Sequence, residues 1–238
     1  MSVPRSSSDS GEDGGTEASR HLILFGKVPE AGATKTRLAP ALGDAGAARL
    51  YRAFLDDTIR RTAAVAAERR GLWLAGSVGG RDRVRERHGG LEVRPQRGDD
   101  LGQRMARALE EAFAAGAGRA LILGTDHPTL PMDRLERAFR LLSSVDLVLG
   151  PSDDGGYYAV GVRREAWPGA AGIFRDVPWS TDRVLEVTRA RAEEIGLSRR
   201  ELAEWYDVDR PSELERLRSD AEPDSRSLRV LRTLAPES

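Results

Sequence analysis

The chain has 238 residues, 39% of them apolar, enough for one large domain with its own core. Charged residues make up 32% but balance to a net charge of −1, which leaves no broad basic face for a nucleic-acid backbone or an anionic membrane. Cysteine is absent, which removes disulfides, thiolate zinc sites and cysteine nucleophiles, and the three histidines (His21, His88, His127) are too scattered for metal-ligand spacing.

The first 20 residues, rich in serine, glycine and acidic side chains, read as a disordered polar leader without the basic-then-apolar order of a signal peptide. The apolar run Leu22-Ile23-Leu24-Phe25 predicts a first strand over 21–26. Like Ala120-Leu121-Ile122-Leu123 later on, it is far shorter than the ~20 residues of a spanning helix. No membrane segment is expected, and the cytoplasm is the default location.

The loop that follows, Gly26 to Leu38, holds Lys27, Lys35, Arg37 and Gly32, with Thr36 between the last two cations. Backbone amides plus point charges between a strand and a long helix suit a phosphate cradle. The loop is not a P-loop: five residues separate Gly26 from Gly32, and Lys35-Thr36 comes two residues late. A solvated basic loop explains the same residues. Against 35 arginines the chain has only these two lysines, as expected if a compact ammonium is kept where a planar guanidinium does not fit.

A helix over 44–69 starts at Asp44. A strand at 71–76, a helix at 80–88 and a strand at 91–95 follow. Next comes Gln96-Arg97-Gly98-Asp99-Asp100-Leu101-Gly102-Gln103-Arg104, where Asp99 or Asp100 caps a helix over 99–116. Gln96, Asp100 and Arg104 there could reach a base or ribose, and a capped helix start accounts for them nearly as well.

The strand at 119–124 runs into Gly124-Thr125-Asp126-His127-Pro128. In an open α/β sheet, ligands lie beyond the carboxyl ends of the strands, so Asp126 is placed to hold a hard cation against a diphosphate. A turn aspartate before the helix at 131–143 is the competing account, and His127 reads as a surface turn residue. Between strands at 145–150 and 157–163 lies Ser152-Asp153-Asp154-Gly155-Gly156-Tyr157. This is a hairpin turn signal whose glycines would let a substrate approach, with Asp154 accepting a proton from an acceptor hydroxyl. Ser180 and Thr181, after Pro178-Trp179, are candidate caps for a helix at 181–196. Exposed Trp167 or Trp179 would suit an acceptor site or a homodimer contact. In Tyr206-Asp207-Val208-Asp209, alternate side chains share a face, so Asp207 and Asp209 can reach one magnesium or manganese ion; a charged turn before the helix at 211–219 is the alternative. A loosely held helix or tail over 224–234 closes the chain.

Short strands alternating with helices give an α/β fold around a mainly parallel sheet. Taken together, Lys27-x-Pro…Lys35-Thr36-Arg37-Leu38, Gly98-Asp99-Asp100-Leu101-Gly102-Gln103-Arg104-Met105, Gly124-Thr125-Asp126-His127-Pro128, Asp154-Gly155-Gly156-Tyr157-Tyr158, Pro178-Trp179-Ser180-Thr181 and Asp207-Val208-Asp209 resemble the glycosyltransferase-A superfamily of nucleotide-diphospho-sugar transferases. They are most similar to a bacterial family within it that is sometimes linked to arsenosugar biosynthesis. The resemblance runs from about Leu22 to Leu217.

It implies a three-layer α/β/α sandwich, with a catalytic domain over 21–219 and a helix or tail over 220–238. It further implies a metal-dependent glycosyltransferase that takes a nucleoside diphosphate sugar and a small acceptor, with no nucleic acid. The first loop would build the donor pocket, a Mg2+ or Mn2+ ion would sit on Asp126, Asp207 and Asp209, and Asp154, Gly155, Gly156, Tyr157 and Tyr158 would form the acceptor side, with Trp179, Ser180 and Thr181 also binding substrate. This chain departs from the family pattern at His127, where cysteine is common, and by one extra residue in Gly98-Asp99-Asp100-Leu101. That extra residue leaves the family role open between Asp99 and Asp100. Guanylyltransferases of deazaflavin cofactor synthesis, which act on a small phosphorylated acid, share the lysine loop and the Asp-x-Asp pair. They differ at Asp154-Gly155-Gly156-Tyr157-Tyr158. A non-catalytic ligand-binding protein is the remaining alternative.

Overall fold

In the computed structural model, residues 18–236 are described; the leader read over 1–20 lies, as far as residue 17, outside the described residues. Arg20 already belongs to the first strand. The strands are β1 (Arg20–Lys27), β2 (Arg69–Ala75), β3 (Glu92–Pro95), β4 (Arg119–Gly124), β5 (Leu147–Pro151), β6 (Tyr157–Arg163) and β7 (Arg199–Glu201). The helices are α1 (Ala39–Arg61), α2 (Val78–Arg87), α3 (Leu101–Ala114), α4 (Asp133–Leu141), α5 (Val184–Glu194), α6 (Leu214–Asp220) and α7 (Arg226–Leu234).

The seven strands form one sheet in the order β3-β2-β1-β4-β6-β5-β7, parallel except for β6, which runs against β4 and β5. Alternation along the strands explains the layers. Leu22, Leu24, Leu72, Leu74, Leu121 and Leu123 face α1, α2 and α4. Ile23, Phe25, Trp73, Ile122, Val160 and Val162 face α3 and α5. The result is the expected three-layer α/β/α sandwich, with the central strands buried on both faces. A third cluster, built on Leu50, Phe54, Tyr206, Val208, Leu217 and Leu231, packs α6 and α7 against α1.

Several expectations shift. α1 begins at Ala39, with Pro40 in its first turn, and breaks at Gly43 (φ 69°, ψ 161°), so Asp44 marks a restart and not the start. It ends at Arg61 instead of 69: Thr62 Oγ1 turns back to the Thr58 carbonyl at 2.6 Å, a short 3-10 turn follows, and the chain enters β2. α5 opens at Val184 without a side-chain cap. Thr181 Oγ1 donates to the Pro178 carbonyl at 2.7 Å, and Ser180 adopts φ 66°, so neither residue caps the helix. β7 was not foreseen. Arg199-Arg200-Glu201 carries no apolar alternation, and only its pairing with Leu147, Val148 and Leu149 of β5 makes it a strand. Among the described residues, no helix is long and apolar enough to cross a membrane.

Candidate active site

The carboxyl ends of β1, β4 and β5 and the start of β6 open onto a cleft of 890 Å³. β4 delivers Asp126 to its floor, with Thr125 buried behind it. Buried Thr125 shares a 2.7 Å hydrogen bond with the Tyr51 hydroxyl, which also accepts from the Lys27 amide at 2.9 Å. A side chain on Gly26 would collide with this arrangement, its Cβ coming 2.4 Å from Thr125 Oγ1 and 2.8 Å from the Tyr51 oxygen. Burial pushes the Tyr51 phenol upward, so it stays a neutral hydrogen-bonding post.

The β1–α1 loop is held by Thr34, whose hydroxyl donates to the Val28 carbonyl at 2.8 Å, and by buried Leu38. Between them Lys35 takes a left-handed conformation, φ 53°, and sends its side chain, only 5% exposed, into the cleft. Its ammonium lies 2.5 Å from Asp126 Oδ1 and 3.5 Å from Asp209 Oδ1. Arg37 Nη1 takes the other Asp209 oxygen at 2.8 Å. Burial works against the Lys35 charge, but the pull of Asp126, then Asp209, outweighs it and raises the ammonium's pKa. For Asp126, enclosure in the cleft favours the neutral acid. The Lys35 charge and its hydrogen bond win, lowering the carboxyl.

Asp207 and Asp209 arrive as period two requires. Tyr206 and Val208 are buried, Val208 N donates to the Asp126 carbonyl at 3.0 Å, and the alternating Asp207 and Asp209 face the cleft. Among the described residues Asp207 makes no ion pair. Burial, together with repulsion from Asp154, Asp126 and Asp209 that Lys35 only partly offsets, pushes it up to about 7.

His127 is not a surface residue. It is 8% exposed, its Nδ1 lies 2.9 Å from the Tyr206 carbonyl, and burial lowers its pKa. A ring nitrogen facing a carbonyl carries a proton, and this hydrogen bond pins the Asp207 segment to the end of β4. No local signal could have shown this partner 79 residues away.

The opposite rim is the β5–β6 hairpin, where Asp154 Oδ1 accepts from Gly156 N at 3.0 Å. Gly155 has φ 84°, and a Cβ there would come 2.1 Å from the Asp182 carbonyl, so the hairpin packs directly on the loop before α5. From that loop Trp179, Ser180 and Thr181 line the cleft, as does Tyr157. The Trp179 ring lies over Gly102, which has no room for a side chain.

Lys27, Lys35, Thr36, Arg37, Asp126, Asp154, Gly156, Asp207 and Asp209 thus meet at one cleft. Gly32, Gln96, Asp100, Arg104 and Gly155 are not among its lining residues. The Gln96 amide donates to the Gly26 and Trp73 carbonyls at 2.7 and 3.0 Å, and Arg104 Nε to the Gly98 carbonyl at 2.9 Å. Asp100 caps α3 by accepting from Gln103 N at 2.7 Å, which decides the cap between Asp99 and Asp100. Ser152, Leu101 and Met105, not singled out from the sequence, do line the cleft, and the buried Ser152 hydroxyl has no hydrogen-bond partner among the described residues.

The fit of a divalent cation can be judged from the donors. Asp126, Asp154, Asp207 and Asp209 supply hard oxygens and more negative charge than Lys35 and Arg37 offset, which suits Mg2+ or Mn2+ in kind. In position they are not ready: among the described residues no three His, Asp or Glu side chains are arranged to hold one ion.

Comparison with known proteins places this geometry. Residues 58–181 match the profile of a family described as uncharacterized protein conserved in bacteria (DUF2064), a span that includes Asp126 and Asp154 but neither lysine nor the Asp207/Asp209 pair. No curated protein matches the chain in sequence. The fold is similar to a protein of Desulfovibrio desulfuricans G20, provisionally described as a nucleotide-diphospho-sugar transferase. The two are 28% identical over 91% of this chain and 95% of that one, with a TM-score of 0.84. It is also similar to Rv0371C of Mycobacterium tuberculosis H37Rv, solved in complex with manganese, at 17% identity, 84% and 97% coverage and a TM-score of 0.51. A 4-diphosphocytidyl-2C-methyl-D-erythritol synthase shares 10% identity, 87% and 100% coverage and a TM-score of 0.55. At such low identity, these last two show the shared nucleotide-diphospho-sugar transferase-like fold and nothing more.

Proposed function

The chain belongs to that bacterial family, and from this premise we propose that it is a glycosyltransferase that moves a sugar from a nucleoside diphosphate to a small acceptor. One observation carries the reading: the cationic β1–α1 loop, Asp126, the Asp207/Asp209 pair and the Asp154 hairpin converge on a single cleft at the carboxyl edge of the sheet. The likeness to the Desulfovibrio protein, described as a nucleotide-diphospho-sugar transferase, supports the same class of donor.

In this reading the diphosphate lies along Thr36 and Arg37, where Lys27, Lys35 and Arg37 offset the negative charge that grows on it as the sugar departs. Asp154 stands on the other rim. The bond from the sugar's anomeric carbon to the phosphate oxygen breaks, a bond to the acceptor oxygen forms, and the acceptor's proton passes to the Asp154 carboxylate. Tyr157, Trp179, Ser180 and Thr181 form the acceptor side. Gln96, Asp100 and Arg104 act from behind by holding the end of β1 and the start of α3. A divalent cation, when bound, would be held by Asp126, Asp207 and Asp209 and would add its charge to that of the lysines against the diphosphate.

The test is a thermal-shift panel of nucleoside diphosphates and their sugars with Mn2+, followed by product analysis. Stabilisation by one base and release of its nucleoside diphosphate are expected. No response to any nucleoside diphosphate sinks the reading. Pyrophosphate release from a triphosphate plus a phosphorylated acid would replace it with nucleotidyl transfer.

A further inference from the structure

The acidic centre of the cleft already contains a cation of the protein's own. Lys35 Nζ touches Asp126 Oδ1 at 2.5 Å and reaches Asp209 Oδ1 at 3.5 Å, while Arg37 occupies Asp209 Oδ2 at 2.8 Å. Carboxylate oxygens hold Mg2+ at roughly 2.0–2.1 Å. An ammonium nitrogen 2.5 Å from Oδ1 already engages that oxygen and crowds any ion that would bind it. An ion sharing that oxygen would face the repulsion of the buried Lys35 charge at close range.

Lys35 is also not a loose side chain that has drifted onto an acid. Its backbone is fixed in the left-handed region between the Thr34 and Leu38 anchors, its side chain is 5% exposed, and the Tyr51 ring lies 6.0 Å from the ammonium. Asp126, by contrast, keeps 42% of its side chain open to the cleft, so a ligand arriving from solvent can reach the pair.

We propose that Lys35 is an internal counter-ion that masks the metal-binding carboxylates, and that the cation site forms only when the ammonium is drawn onto the phosphates of a bound nucleoside diphosphate. The second clause rests on the nucleotide-binding reading above; the masking does not. Phosphate oxygens offer Lys35 an equal or better partner, and its departure frees Asp126 and one oxygen of Asp209. Metal and nucleotide then each raise the other's affinity by the same factor.

The test measures Mn2+ binding to the metal-stripped full chain without nucleotide, by the loss of the free-ion paramagnetic resonance signal. Wild type is compared with Lys35→Met, which keeps the length and loses the charge, and with Lys35→Arg, which keeps the charge. Lys35→Met is expected to bind Mn2+ alone on the order of tenfold or more tighter than wild type, and Lys35→Arg is expected to show no gain. Adding Asp126→Asn to Lys35→Met is expected to abolish the gain. In parallel, Mn2+ is expected to raise the Tm of Lys35→Met more than that of wild type, which also reports on folding.

Equal Mn2+ affinity in wild type and Lys35→Met overturns the proposal, as does an absence of Mn2+ binding in both. If the variant does not fold, wild type alone decides: Mn2+ affinity unchanged by saturating UDP, GDP or CDP overturns the proposal, and a rise of tenfold or more supports it. Should Lys35→Met gain Mn2+ affinity while no nucleoside diphosphate binds either protein, the masking stands and the nucleotide reading alone falls.

Discussion

Asp207 lines the cleft and, among the described residues, has no ion-pair partner. Its carboxyl is raised from the usual range to about 7 by burial, with Asp154, Asp126 and Asp209 adding to the effect. The folded chain therefore binds a proton that the unfolded chain has released across the window from about 4 to 7, so this group costs stability increasingly as pH rises through that window. Asp207→Asn, which mimics the neutral acid, is expected to have a Tm above wild type at pH 8 in metal-free buffer, with a smaller gap at pH 5. Calorimetry at both pH values checks this; a gap independent of pH counts against it. The residue types of the site were legible in the sequence because carboxylates after strands and lysines in an arginine-rich chain are local signals. Their pairing was not. Lys35 and Asp126 are far apart along the chain, and nothing local says that the lysine takes the oxygen assigned to an ion.

The β5–β6 hairpin and the loop before α5 act as one element. Gly155 has φ 84°, its carbonyl accepts from Leu185 N at 2.9 Å, and a Cβ would overlap the Asp182 carbonyl. Gly155→Ala is expected to cost about 1–2 kcal/mol in backbone strain alone and more through displacement of Asp182. That displacement moves Asp154 against Thr181, so turnover should fall at least about tenfold for a misplacement near 1 Å while the circular dichroism stays native. Unchanged turnover would show that the two segments are not coupled. The hairpin was legible as a turn from its Asp-Gly-Gly, and that turn lies at the cleft edge through Asp153, Asp154 and Gly156. β7 was illegible for the opposite reason: it has no pattern of its own and exists by pairing along β5.

At the scale of the whole molecule, the C-terminal helix is part of the fold. Asp57, 1% exposed on α1, accepts from Arg226 N at 3.0 Å, Ser227 N at 2.8 Å and Ser227 Oγ at 2.6 Å, while neighbouring Asp56 holds Arg87, His88 and Arg226. Asp57→Ala leaves buried donors of α7 without partners and is expected to cost about 2–4 kcal/mol, measured by urea unfolding. A loss within error would mean that α7 is held by Leu228 and Leu231 alone.

By itself the sequence determined the strands with apolar runs, the helices between them, the parallel α/β layering and the types of residue at the cleft, because each rests on periodicity and chemistry within a few residues. Only the tertiary structure decided which charges meet. Asp126, Asp207, Asp209, Lys35 and His127 come from three distant segments brought to one sheet edge. At that edge burial and Coulomb forces, which depend on distance in space and not along the chain, place an ammonium where the sequence alone suggested a metal.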